Sequence, residues 1–135
     1  MIVVQKYGGS SVADKERIFN VANRIKKRIE KGDKVVVIVS AMGKTTDNLI
    51  QLAKSLSKNP HPREMDMLLT TGEQISIALL SIALNELGIK AKSFNAFQLN
   101  IKTTHDFTKA KIKDMDSDKI LKELESNSVI IVAGF

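Results

Sequence analysis

A chain of 135 residues with 43% apolar and 27% charged side chains can bury one core and is too short for two ordinary domains. No apolar run approaches the roughly 20 residues of a membrane helix, no basic and apolar leader opens the chain, and without cysteine there are no disulfides, as suits a cytoplasmic location. A net charge of +6 raises the question of nucleic acid, but one Tyr, five Phe and no Trp leave little surface for stacking bases. The cluster Arg24, Lys26, Lys27, Arg28, Lys31 and Lys34 falls at the end of a predicted helix, where cations complement the helix dipole. Neither a nucleic-acid nor a membrane partner is expected.

Met1 to Lys6 reads as a β-branched strand ending in the tight turn Gly8-Gly9-Ser10-Ser11. Ile18, Val21, Ala22, Ile25 and Ile29 then repeat at helical spacing from a start near Ser11 or Asp14, and Gly32 stands where a C-terminal cap belongs. Val35 to Val39 is apolar at every position, as in a parallel strand covered on both faces. A second helix follows, with Thr46 or Asp47 as cap and Leu49, Ile50, Ala53 and Leu56 on its buried stripe. Asn59-Pro60-His61-Pro62 breaks it. Residues 63 to 87 are helical in pattern but interrupted at Thr70-Thr71-Gly72-Glu73, which predicts a bent or broken helix pair capped at Gly88. Ala91 to Ala96 is a third strand, and 97 to 108 has no clear pattern. Ser117 or Asp118 caps a short helix carrying Ile120, Leu121 and Leu124, and Ser128 to Ala133 is a last apolar strand.

Strands alternating with helices predict an α/β fold, a three-layer αβα sandwich with a mostly parallel sheet. A chain that halts straight after a core strand is expected to be truncated, since that strand would lack an outer neighbour and a covering layer. The alternative is a natural small domain with this strand at the sheet edge.

In open α/β sheets ligands bind beyond the carboxyl ends of the strands. Lys6-Tyr7-Gly8-Gly9-Ser10-Ser11 follows the first strand. Glycines admit an anion close to backbone N–H groups, a helix N-terminus adds positive potential, and Lys6 brings a mobile charge suited to a transferred phosphoryl group. The same residues also suit a turn with serine capping. The lysine precedes the glycines, so this is neither a Walker A nor a dinucleotide motif. Ser40-Ala41-Met42-Gly43-Lys44-Thr45-Thr46-Asp47 follows the second strand and can hold a carboxylate or phosphate, or serve only as a capped helix start with Thr46 as N-cap. Glu73, after Gly72, can accept hydrogen bonds from a ligand ammonium, or be a first-turn glutamate favoured by the helix dipole. His61 and His105 are single and far apart, with surface roles as the default.

Taken in order, KYGGSSV at Lys6 to Val12, VVVIVSAMGKTTDNL at Val35 to Leu49, REMDMLLTTGEQIS at Arg63 to Ser76 and the ending VIIVAGF resemble the aspartate kinases of the amino-acid kinase family. The resemblance covers essentially the whole chain. It implies that residues 1–135 are the N-terminal portion of a catalytic domain that transfers the γ-phosphoryl group of ATP, with Mg²⁺, to the β-carboxylate of L-aspartate. That reaction opens lysine, threonine and methionine biosynthesis, in a cytoplasmic and homo-oligomeric enzyme. Lys6 would be catalytic, and Lys6, Tyr7, Gly8, Gly9, Ser40 and Gly43 would bind ATP phosphates. Thr46 would contact the substrate and Glu73 would hold its α-ammonium group. The magnesium ligands, the nucleotide-base site and the ACT-type regulatory domains would lie outside this stretch, leaving it inactive alone. Acetylglutamate or glutamate as substrate, or a non-catalytic basic module, are the alternatives. Thr103 to Lys111 departs from the family, lacking a glycine after the histidine and an arginine near its end.

Overall fold

The computed structural model describes residues 1–134. Four strands form one parallel sheet in the order β1 (Ile2–Tyr7), β2 (Lys34–Val39), β6 (Val129–Ala133), β3 (Ala91–Phe94). Helices α1 (Lys15–Glu30) and α3 (Pro62–Glu86) cover one face, α2 (Thr45–Leu56) packs on α3, and α4 (Ser117–Ser126) covers part of the other. The expected sandwich is therefore present. A two-stranded antiparallel hairpin joins β4 (Lys102–Thr103), inside the stretch 97 to 108 that has no clear pattern in sequence, to β5 (Ile112–Asp114) just beyond it.

The all-apolar strands are the two central ones. Val35, Val37 and Val39 of β2 and Val129, Ile130 and Ile131 of β6 are fully buried, each worth roughly 1.5–3 kcal/mol over its exposed state. The chain places β3 outside β6, so β6 is paired on both sides. The outer neighbour expected to be missing from β6 is present, and the edges are β1 and β3.

α1 begins where Asp14 accepts a hydrogen bond from the Arg17 N–H at 2.8 Å and ends at Glu30 with Lys31 in the cap position, followed by Gly32, whose φ of +87° is the left-handed value glycine tolerates. The serines of the first loop cap no helix. Gly9 to Val12 form a single 3₁₀ turn without a side-chain cap.

Two expectations about helices are corrected. α2 starts at Thr45 with Lys44 in the cap position and no side-chain cap, so Thr46 is its second residue and neither Thr46 nor Asp47 is the N-cap; its apolar stripe is half-buried at most. α3 is one continuous helix of 25 residues, capped by His61, whose Nδ1 accepts from the Arg63 N–H. Gly72 is no break. A Cβ there would lie 3.0 Å from Ala41 Cβ and 3.4 Å from Thr45 Cγ2, so glycine lets α2 and its loop lie against α3 without the few tenths of an ångström of displacement that a side chain would ask. By length and composition α3 is also apolar enough to cross a membrane, which the interrupted pattern conceals. Ile77, Leu80 and Leu84 instead seat it on the sheet.

Truncating Leu80, which is fully buried between α3 and the sheet, to alanine is expected to lower stability by about 2–5 kcal/mol. The check is the shift in the urea midpoint at unchanged slope.

Candidate functional site

The carboxyl ends of all four strands lie on one edge, and the loops that leave them are bound to one another. The Ser40 N–H donates to the Tyr7 carbonyl at 3.2 Å, the Gly43 N–H to the Gly9 carbonyl at 2.9 Å and the Gly134 N–H to the Val39 carbonyl at 3.1 Å. A Cβ on Gly9 would sit 2.5 Å from the Ala41 carbonyl oxygen, far inside van der Waals contact. Gly9 is thus fixed as glycine by the second loop, whereas Gly8 has nothing within 4 Å of where a Cβ would point and leaves backbone open beside Lys6. Gly43 adopts φ +49° to turn into α2.

α3 is tied to the same loop from below. Ser76 Oγ donates to the Ser40 carbonyl at 2.8 Å, with the Glu73 carbonyl 3.0 Å away as a second acceptor. One turn earlier Glu73 is only 4% exposed. Burial pushes its carboxyl up from the ordinary glutamate value, and the backbone N–H groups of Glu73 and Ala41 pull partly against that. Its Oε2 has no hydrogen-bond partner among the described residues. A buried carboxylate oxygen left unpaired is costly, and the group that relieves it best is a cation with N–H donors. The first-turn reading of Glu73 is ruled out, since it lies mid-helix. Glu73 is among the residues that line a cleft of about 270 Å³, with Thr70 and Gln74 of α3, Asn95 to Phe97 after β3, and Ala133 and Gly134 after β6, although Oε2 itself is sealed from solvent.

Of the residues singled out in sequence, Gly9, Ser40, Gly43 and Glu73 are joined by direct contacts or through Ala41. Lys6 is exposed at the end of β1 and makes no ion pair among the described residues. Thr46 stands in the first turn of α2, where uncapped N–H groups give the helix end its positive potential. Neither Lys6 nor Thr46 lines the Glu73 cleft. Tyr7 points elsewhere: only its carbonyl joins the crevice. Its ring lies against α1 in a pocket with Ser10, Arg17 and Arg24, its hydroxyl donates to Gln5 Oε1 at 3.2 Å, and burial raises its pKa against the lowering effect of Arg24.

Sequence reasoning missed Ser76 and Asn95. Ser76 is a polar residue inside a buried apolar stripe, a signal that was available. Asn95 lies in the loop after β3, but a strand drawn to Ala96 hid it inside the sheet.

An orphaned, desolvated carboxylate sets a pH signature. Its folded pKa lies above the unfolded value, so burial costs nothing while the group is protonated and the penalty grows as pH rises through the folded pKa. Glu73→Gln is expected to be more stable than the parent at pH 7, with the difference vanishing below the ordinary glutamate value near 4.5. Urea unfolding of both at pH 7 and pH 4 measures this.

The comparisons agree with the geometry. The amino acid kinase family model matches residues 1–135. Over 134 residues the chain is 52% identical to an aspartokinase of Bacillus sp. (strain MGA3) and 50% identical to aspartokinase 2 of Bacillus subtilis (strain 168), in each case 99% of this chain. It spans about a third of the length of those relatives (33%). Among solved structures, aspartate kinase from Synechocystis superposes with a TM-score of 0.84 at 45% identity, over 99% of this chain and 22% of that one. E. coli aspartokinase III in complex with aspartate and ADP shares the fold, with a TM-score of 0.82 at 20% identity over 100% of this chain and 41% of that one. With its glycine loop, capless helix start and buried glutamate on one sheet edge, the chain belongs to the amino acid kinase family.

Proposed function

We propose that these residues form the acceptor-binding and phosphate-positioning region of an aspartate kinase, the N-terminal portion of a longer catalytic domain. The observation that carries this reading is Glu73, a buried carboxylate with one unpaired oxygen beside a cleft at the sheet's carboxyl edge. It is supported by about 50% identity to aspartokinases over nearly the whole chain.

The reaction asks little covalent chemistry of the protein. An oxygen of the aspartate β-carboxylate attacks the γ-phosphorus of ATP, the bond from that phosphorus to the bridging oxygen breaks, and ADP leaves with the electron pair. The nucleophile is already ionised at neutral pH, so no general base is needed. What the residues supply is position and charge. Glu73 holds the α-ammonium group, and Thr46 with the α2 N-terminus steadies the reacting end. Lys6 and the open backbone at Gly8 neutralise the phosphoryl group in flight. The set fits the phosphoryl end of a nucleotide: an unpaired lysine, uncapped helix N–H groups and a glycine with free space beside it. Glu73, whose amide contacts and burial suit an ammonium, is no ligand for Mg²⁺, and among the described residues no cluster of three metal-ligating side chains occurs. The metal ligands and the nucleotide-base site are assigned to the remainder of the enzyme, as are homo-oligomer contacts.

In the full-length protein Lys6→Ala is expected to lower turnover of aspartate by about 100-fold or more, a loss of roughly 2.7 kcal/mol of transition-state stabilisation. Product is assayed with aspartate, glutamate and acetylglutamate in parallel. Activity surviving within about tenfold, or turnover of acetylglutamate alone, contradicts the assignment.

A further inference from the structure

We propose that Ser76 is a positioning residue for the acceptor site: it holds the Ser40–Ala41 peptide so that the Ala41 N–H stays on the Glu73 carboxylate, and so governs how well that group holds the ammonium of aspartate. The proposal deepens, and rests on, the reading of Glu73 as the ammonium holder.

The peptide unit between Ser40 and Ala41 is gripped at both ends by α3. At its carbonyl end Ser76 Oγ donates to Ser40 at 2.8 Å. The hydroxyl has one proton, and the other oxygen in reach is the Glu73 carbonyl at 3.0 Å. That carbonyl lies inside a continuous helix, where the N–H four residues on is its partner, so the loop carbonyl is the one that needs the proton. At its amide end the Ala41 N–H acts on the Glu73 carboxylate and favours its charged form. The packing agrees: a Cβ on Gly72 would lie 3.0 Å from Ala41 Cβ, which sets Ala41 against the turn that carries residue 73. Residues 73 and 76 are three apart and share one helix face, so a single turn of α3 fixes the orientation of a single peptide.

Packing alone does not ask for a hydroxyl here. Ser76 is 1% exposed, alanine is the better helix former, and a buried hydroxyl is tolerated only when bonded. Glu73 depends on the bond because little else favours its charge. Among the described residues it has no cation partner and its Oε2 has no hydrogen bond. Its cleft neighbours Thr70, Gln74 and Asn95 are neutral, the segment after β2 meets its turn with Ala41 and Thr45, and no charged side chain is among the groups that shift it. Burial opposes the charge, and two backbone N–H groups, its own and that of Ala41, oppose burial. Without the Ser76 hydroxyl the Ser40 carbonyl loses its donor, the peptide is free to rotate, and the Ala41 N–H leaves the carboxylate. The ionised form that an ammonium requires then becomes scarcer.

The test uses the full-length protein with Ser76→Ala, which removes only the hydroxyl, and Ser76→Cys, which keeps a weak donor. The acid limb of kcat/KM for L-aspartate is expected to move to higher pH by about one unit in Ser76→Ala, the scale of a lost hydrogen bond to a charged group, and by less in Ser76→Cys. Below the limb kcat/KM therefore falls about tenfold, and well above it the variant converges on the parent, with KM for ATP within about threefold throughout. A limb left where it stands in the parent, or an equal loss at every pH with a lowered urea midpoint, is the mark of packing alone and overturns the assignment. Glu73→Gln run alongside separates the failures. It has no charge to protect, so adding Ser76→Ala to it should leave kcat/KM for aspartate within about twofold of Glu73→Gln alone, and a full further loss in the double variant also overturns the proposal. If Glu73→Gln keeps the limb and KM of the parent, the ammonium reading itself is at fault; if it loses the limb while Ser76→Ala leaves the limb in place, only the Ser76 role is lost.

Discussion

The close approach of Gly9 to the Ala41 carbonyl is the constraint on which the crevice depends. Strand order alone brings β1 and β2 side by side, but it does not bring their following loops into register. Here the second loop lies against the first so tightly that a single methyl at position 9 would meet a carbonyl oxygen at 2.5 Å. The Gly43 N–H to Gly9 carbonyl bond at 2.9 Å holds that arrangement. Gly72 does the same in the layer below, letting Ala41 and Thr45 rest on α3. Two glycines in different elements thus press the same short segment, Ser40 to Thr45, between the phosphate-type loop and the helix that carries Glu73.

That compression explains why a carboxylate can be buried where, among the described residues, no cation pairs with it. Glu73 is held by helix α3, whose seat on the sheet is apolar and extensive, so the unpaired oxygen is offset by the burial of Ile77, Leu80 and Leu84 nearby. Local destabilisation of this kind is characteristic of sites preorganised for a ligand. Ser76 completes the support by fixing the Ser40 carbonyl at 2.8 Å, and so transmits the position of α3 to the loop after β2.

Much of this was legible in the sequence because the informative residues obey simple rules. Two fully apolar runs marked the central strands, Asp14 and Gly32 marked the ends of α1, and the loops following the strands contained Lys6, Gly9, Ser40 and Gly43. What escaped was set by tertiary contact. Gly72 reads as a helix breaker in isolation, and only the proximity of Ala41 reveals it as a packing residue. Thr46 reads as a cap because nothing local shows that Lys44, two residues earlier, takes the cap position of α2 without a side-chain cap. The hairpin of β4 and β5 has strands of two and three residues, too short for period-two patterning, and Asn95 was hidden by drawing β3 two residues too long. The side chain of Tyr7 faces α1 because strand alternation turns it away from Lys6, a consequence of the pleat that a motif reading ignores.

Everything proposed for the substrate turns on Glu73 being a desolvated carboxylate that awaits an ammonium group. Carbon-13 NMR of the Glu73 carboxyl in the full-length protein, titrated with pH in the absence and presence of L-aspartate, tests this most directly. A pKa above the ordinary glutamate range is expected in the free protein, with a fall on saturation with aspartate as the ammonium stabilises the charged form. An ordinary pKa in the free protein, or one that aspartate leaves unmoved, would contradict it.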